Sequence, residues 1–458
     1  MIKTILILIA ALTSFIMNAQ EITGQWNGVL KVQGAQLRVV FHVNKTETGY
    51  TSTMDSPDQG AKGIPVTKTS FENVVFKLEI GAIKGSYEGI LNSDNIIEGK
   101  LTQNGQSFDI NLSKEISEKQ AFVRPQEPKK PYPYYTEDVK FENKEANVTL
   151  AGTLSLPKKE GNFPVVILIT GSSAQNRDEE GLGHKPFLVL SDYLTKKGIA
   201  VLRFDDRGVA ESTGDFAKAT TFDFAKDVQA GVEYLKTRKE INKKKIGLIG
   251  HSEGGLIANI VAGNSKDIDF VVLLASPGLS GDKLLLLQKE LIERQSGIPE
   301  GEVQKEQGIF RGAYDIVLAS SKFDDTFKST INSYFKSKYA GSENDGKVKY
   351  YTSLINNIWL YNFIKIDPAS VLEKVKCPVL ALNGSKDLQV PAAVNLEAIK
   401  SNLVKAGNKK VTTKILPDMN HLFQECKTGA PDEYQKIEQT FSPIALDEIS
   451  KWVLGQTK

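Results

Sequence analysis

The residues Gly250-His251-Ser252-Glu253-Gly254 fit the pattern G-x-S-x-G. A serine set between glycines has two readings. In one, its hydroxyl attacks a carbonyl carbon; in the other, it only caps the start of a helix. The pentapeptide by itself does not choose between them, but its surroundings do. "KIGLIG" before it reads as a strand, and "GGLIANIVAG" after it reads as a helix. Ser252 therefore stands on a sharp strand-to-helix turn, where flanking glycines leave room for a crowded backbone. The turn holds the hydroxyl clear of the sheet, at the positive end of the following helix.

A serine hydroxyl is a poor nucleophile at neutral pH, so it needs a base, and the base needs an orienter. The four histidines are His42, His184, His251 and His421. Only His421 follows the serine with enough chain between them for the order Ser…Asp…His. It comes just after "VTTKILPDMN", at a strand end, where a loop can aim it back across the sheet. In "PVLALNGSKDLQVP" a strand ends at Asn383 and a Gly-Ser turn presents Asp387 at the same sheet edge. A carboxylate there fixes the imidazole tautomer and stabilises the imidazolium. Asp418 and Asp432 are rivals near His421, and Asp418 is too close in sequence to reach around the ring easily. The oxyanion needs backbone N–H donors: one from Glu253, directly after the nucleophile, the other from "GSSAQNRDE", with Ser172 first and Ser173 second.

The elements that must position these groups fall into three regions. From about Ile22 to Ser113, short alternating runs broken by Asn-Gly, Gly and Ser-Asp read as a small antiparallel barrel or sandwich, placed at residues 20–118. His42 within it reads as a packed or surface histidine, and Trp26 as core or rim rather than a sugar platform. Residues 119–146 carry four prolines and read as a semi-rigid connector. From residue 147 to 458, near-continuous apolar strands alternate with helical stretches, one of which places Phe224, Val228, Val232 and Leu235 on a single face. This pattern gives a parallel sheet covered on both sides. A largely helical stretch at about 281–365 interrupts the rhythm and reads as an inserted cap.

Together "TGSSAQNRDE", "LRFDDRGVAESTGDF", "GLIGHSEGGLIA", "LNGSKDLQVP" and "MNHLF" resemble bacterial exported α/β-hydrolase esterases of the serine aminopeptidase-like group, over about Asn147 to the C-terminus. The resemblance implies an α/β fold: an α/β-hydrolase sheet with a helical cap insertion, no cofactor, no metal, and hydrolysis of a small-molecule carboxylic ester through an acyl-enzyme. The Gly-Ser-Ser of the oxyanion loop departs from relatives with a third-position glycine or a preceding histidine, which bears on the second donor more than on the triad. In the cap, Leu284 to Leu287, Trp359, Tyr361 and Phe363 are the apolar candidates for setting acyl size, with plain cap core as the alternative for each.

Other features narrow the class. A formal net charge of +2 over 458 residues speaks against a nucleic-acid partner. Lys3, the apolar run Ile5 to Met17 and the small residues that follow read as a leader, residues 1–19, removed on export to the periplasm or medium. That run is too short to span a bilayer. Cys377 and Cys426 read as two inert thiols. Arg177, Asp178, Asp205, Asp206 and Arg207 read as ion pairs bracing the mouth rather than substrate contacts, His184 and Lys185 lie on the loop that could rim the pocket, and His251 reads as a packing residue or as one that supports the catalytic groups from behind. Two alternatives stay open: an aminopeptidase or amidase with the same triad, and an inert envelope-binding protein whose β domain holds the partner. Nothing in the β domain names a ligand.

Overall fold

The computed structural model describes residues 21–32, 35–57, 61–103, 106–115, 124–341 and 344–458. The leader expected at 1–19 lies outside the described residues. The chain forms two compact units that part after Lys119.

The first unit is all antiparallel β: β1 (Gly24–Val32), β2 (Ala35–Thr46), β3 (Gly49–Ser56), β4 (Ala61–Pro65), β5 (Lys68–Glu72), β6 (Val75–Ile80), β7 (Gly85–Leu91), β8 (Ile96–Gln103) and β9 (Gln106–Ser113). Their order is β2-β1-β9-β8-β7-β6-β5-β3-β4, and β2 also pairs with β3, which closes the sheet into a barrel with β4 attached outside the ring. Strict alternation drives the closure. In β6, Phe76, Leu78 and Ile80 point inward while Lys77 and Glu79 face water. Trp26, Phe41, Phe76 and Tyr87 are buried in this core. The buried Trp26 indole donates to the Ile22 carbonyl at 2.6 Å, so the ring is core and no sugar platform. His42 sits on the barrel wall, 3.0 Å from Asp55.

The second unit is built on a sheet of β10 (Tyr135–Asn143), β11 (Val148–Leu156), β12 (Phe163–Ile169), β13 (Ala200–Phe204), β14 (Ile241–His251), β15 (Phe270–Leu274), β16 (Val379–Gly384) and β17 (Val411–Leu416). The order is β10-β11-β13-β12-β14-β15-β16-β17. β10, β11 and β13 pair antiparallel, and every pairing from β13 through β12 to β17 is parallel. On one face α2 (Thr221–Thr237), α3 (Glu253–Asn264) and α10 (Ala392–Lys405) cover the core; on the other, α1 (Pro186–Lys196) and α11 (Pro443–Thr457) do. The α2 stripe of Val228, Val232 and Leu235 is buried, with Phe224 partly so.

One sequence reading needs correction. The stretch read as a connector contains β10, paired along its whole length with β11. Val139 and Phe141 are buried from it while its polar neighbours are exposed, an edge strand masked in the sequence by the prolines just ahead of it. Before it, Arg124 donates to the carbonyls of Gln435 and Ile437 at 2.7 Å each and of Gly183 at 2.9 Å, so this segment is tied to the second unit.

Among the described residues, six helices come between β15 and β16: the short α9 (Pro368–Leu372) leads into β16, and before it stand five longer ones, α4 (Gly281–Gln295), α5 (Glu300–Ala319), α6 (Asp325–Lys338), α7 (Asp345–Ile355) and α8 (Ile358–Lys365). They share their own core, including Phe310, Phe335 and Tyr361. Leu284 and Phe363 instead join the core of the sheet. Both cysteines are free, and burial pushes the Cys377 thiol up to about 11.

Candidate active site

β14 runs out at His251, α3 begins at Glu253, and Ser252 between them has φ +53° and ψ −123°. A non-glycine residue in that region costs of order 1–3 kcal/mol, which the surrounding structure must overcome. It does so by close packing. A Cβ on Gly250 would stand 2.1 Å from the Gly254 carbonyl oxygen, and one on Gly254 would stand 2.2 Å from that of Ile169. Ser252 N–H is held by the Leu274 carbonyl at 2.8 Å. The Ser252 side chain makes no capping hydrogen bond to α3, so the helix-cap reading fails.

His421 follows β17 on a loop shaped by Asn420, whose side-chain oxygen accepts the N–H groups of Leu422 and Gln424 at 3.0 Å each. The His421 Nδ1 lies 2.8 Å from Asp387 Oδ2, and both side chains are buried. The other Asp387 oxygen accepts the N–H groups of Gln389 and Val390 at 2.8 and 2.9 Å. The carboxylate is therefore locked on one side and presented to the imidazole on the other. Its rivals are elsewhere: Asp418 pairs with Lys386 and Asp432 with Lys436, both at the surface.

Ser252 and His421 line one cleft of about 310 Å³, together with Ser172, Ser173 and Gln175 of the oxyanion loop. Two carboxylates at the end of β13 hold that loop. Asp206 accepts the Thr170 hydroxyl at 2.8 Å and the Gln175 N–H at 2.9 Å; Asp205 accepts the Arg177 N–H at 2.7 Å. Burial pushes the Asp206 carboxyl up to about 8; its two hydrogen bonds oppose this, and Glu179 and Glu253 add to it. The other charges form ion pairs: Arg177 with Asp205 and Glu211, Arg203 with Asp178, and Arg207 with Asp227. His184 does not rim the cleft. It is buried between Thr440 and the Tyr434 carbonyl, each at 2.9 Å, and burial pushes its pKa down to about 4. Lys185 pairs with Glu180. From the cap, Ile292 lines the cleft, a residue the sequence did not single out.

Two arrangements had no signal in the sequence. Glu179, one of several acids in its loop, meets His251. Glu253 is buried beneath the elbow, and a single oxygen of its side chain accepts both the Thr221 hydroxyl at 2.6 Å and the Trp359 indole at 2.8 Å. Burial raises the Glu253 pKa against those two hydrogen bonds. Both donors converge on that one oxygen. Trp359, from α8, thereby ties the cap to the residue after the nucleophile. Trp359→Phe keeps the stacking on Phe363, 5.4 Å away, but removes the N–H. It is expected to lower stability by about 1–3 kcal/mol, read as a lower urea midpoint with an unchanged slope.

Residues 186–311 match the family model described as serine aminopeptidase, S33. Esterase EstD of Thermotoga maritima is 27% identical over 329 residues, covering 70% of this chain and 70% of that protein. The Pyrococcus furiosus esterase Pf2001 has a TM-score of 0.45 at 18% identity, over 74% of this chain and 99% of that one. Est1E from Butyrivibrio proteoclasticus has a TM-score of 0.39 at 16% identity, over 70% and 98%. In its strand order, its strand-turn-helix elbow and its helical insertion before β16, the catalytic unit has the α/β-hydrolase fold.

Proposed function

We propose that this chain is a carboxylesterase-type serine hydrolase working through Ser252, His421 and Asp387. Ser252 attacks the ester carbonyl and His421 accepts its proton, then returns it to the departing alcohol. Asp387 keeps the proton on Nδ1 so that Nε2 is free to act as base. The N–H groups of Glu253 and Ser172 hold the oxyanion, each donor being worth on the order of 10²–10³ in rate. Water then releases the acyl group by the same route in reverse. The observation that carries this reading is the Asp387–His421 pair at 2.8 Å, whose imidazole lines the same cleft as a strained Ser252 that caps nothing.

The cleft favours esters over peptide N-termini. A free α-amino group calls for a carboxylate aimed at it. Among the described residues, Glu179 is the one carboxylate lining this cleft, and its Oε1 already accepts from Gly171 N–H and faces the His251 ring. Apolar Leu182, Pro186 and Ile292 suit a neutral acyl or alcohol chain instead. A panel of p-nitrophenyl esters set against amino-acid p-nitroanilides is expected to show turnover of esters with anilides near background. Faster anilide cleavage would reverse the assignment. An unlabelled Ser252 after fluorophosphonate treatment of the folded protein would favour an inert binder.

A further inference from the structure

His251 precedes the nucleophile, and its ring is buried. Each ring nitrogen faces an acceptor: Nδ1 lies 2.9 Å from Glu179 Oε1, and Nε2 lies 2.9 Å from the backbone carbonyl oxygen of His421. A carbonyl only accepts, so Nε2 carries a hydrogen. Glu179 Oε1 also accepts the Gly171 N–H at 2.9 Å. Satisfying every contact requires a further proton between Nδ1 and Oε1; imidazole is the stronger base of the two, so the ring holds it, as an imidazolium against a carboxylate. One ring thus connects three backbones: the first residue of the oxyanion loop through Glu179, the elbow through its own chain, and the His421 loop through Nε2.

We propose that His251, protonated and paired with Glu179, is a positioning residue that keeps the oxyanion loop and the His421 backbone in register with Ser252. The proposal rests on the serine-hydrolase reading for its effect on turnover, but not for the state of the ring.

The groups facing this ring are few. Glu179 comes from the oxyanion loop, Asp387 from the loop after β16, and the His421 imidazole from the loop after β17, with its ring centre 4.8 Å away; the Phe423 ring lies at 6.5 Å. Asp206 stands beyond Glu179. Burial works against the cation. The Glu179 charge and hydrogen bond, the His421 carbonyl and the Asp387 charge outweigh it, and the His251 pKa is raised above the ordinary 6.5. For a raised histidine, the stabilisation is complete below the ordinary value and is lost as pH rises through the higher folded value. Positioning, and with it kcat, should therefore weaken on the alkaline side.

The test pairs NMR with kinetics. In ¹⁵N-histidine-labelled wild-type protein, assigned against His251→Gln, both His251 nitrogens should keep imidazolium shifts well above pH 6.5. Glu179→Gln leaves an oxygen for the Gly171 N–H but removes the counter-charge. It should move the alkaline fall in kcat for p-nitrophenyl acetate down by at least one pH unit, a tenfold change in proton concentration, with KM changing less. Ordinary titration of wild-type His251 near pH 6.5 would overturn the proposal. So would a Glu179→Gln loss of kcat by one factor at every pH, the mark of a merely structural role. If Glu179→Gln fails to fold, the wild-type titration decides. If the wild type turns over no ester, the assigned function fails while that titration still decides the state of the pair.

Discussion

Ser252→Ala is expected to lower kcat on p-nitrophenyl esters by on the order of 10⁵–10⁶-fold, since removing a serine nucleophile takes away the covalent route as a whole. Fluorophosphonate labelling should vanish with it. The fold should not suffer, because the Ser252 hydroxyl caps nothing and the strained turn is enforced by backbone packing of Gly250 and Gly254. An unchanged circular-dichroism spectrum and unfolding midpoint would separate lost chemistry from lost structure. Turnover at the parent rate would refute the mechanism.

Asp387→Asn should cost about 10⁴-fold in kcat at neutral pH for a reason visible in the hydrogen bonds. The oxygen that accepts from Gln389 and Val390 N–H must remain an acceptor, so the new amide nitrogen has to face His421 Nδ1. An amide donor there forces Nδ1 to accept and moves the ring proton to Nε2. The imidazole then has no lone pair to take the serine proton. KM should change little. A loss of less than tenfold would mean that Asp387 does not control the tautomer.

The parts of this molecule legible in the sequence are those written in local pattern. The strand, the glycines and the helix around Ser252 are contiguous, and the short apolar runs of β12 to β16, set between helical stretches, read as strands buried on both faces. β10 was hidden because four prolines in the segment leading into it outweigh the short alternation of Val139 and Phe141. The sequence also drew attention to cap aromatics as pocket walls, but Trp359 serves a polar contact to Glu253 and Tyr361 packs inside the cap. The Glu179–His251 and Glu253–Trp359 contacts join residues 72 and 106 positions apart. No periodicity marks which acid of an acidic loop turns inward; only the packed backbone decides that.

The filled barrel sets terms for whatever the first unit does. Phe41 and Phe76 close on Tyr87 at 5.8 and 6.2 Å between ring centres, and the Tyr87 hydroxyl is spent on the Ile97 and Ile110 carbonyls, 3.2 Å from each. Among the described residues, these rings and the aliphatic side chains around them fill the axis of the cask. The side chains that alternate outward along its staves, such as Lys77 and Glu79, are the ones left to meet another molecule.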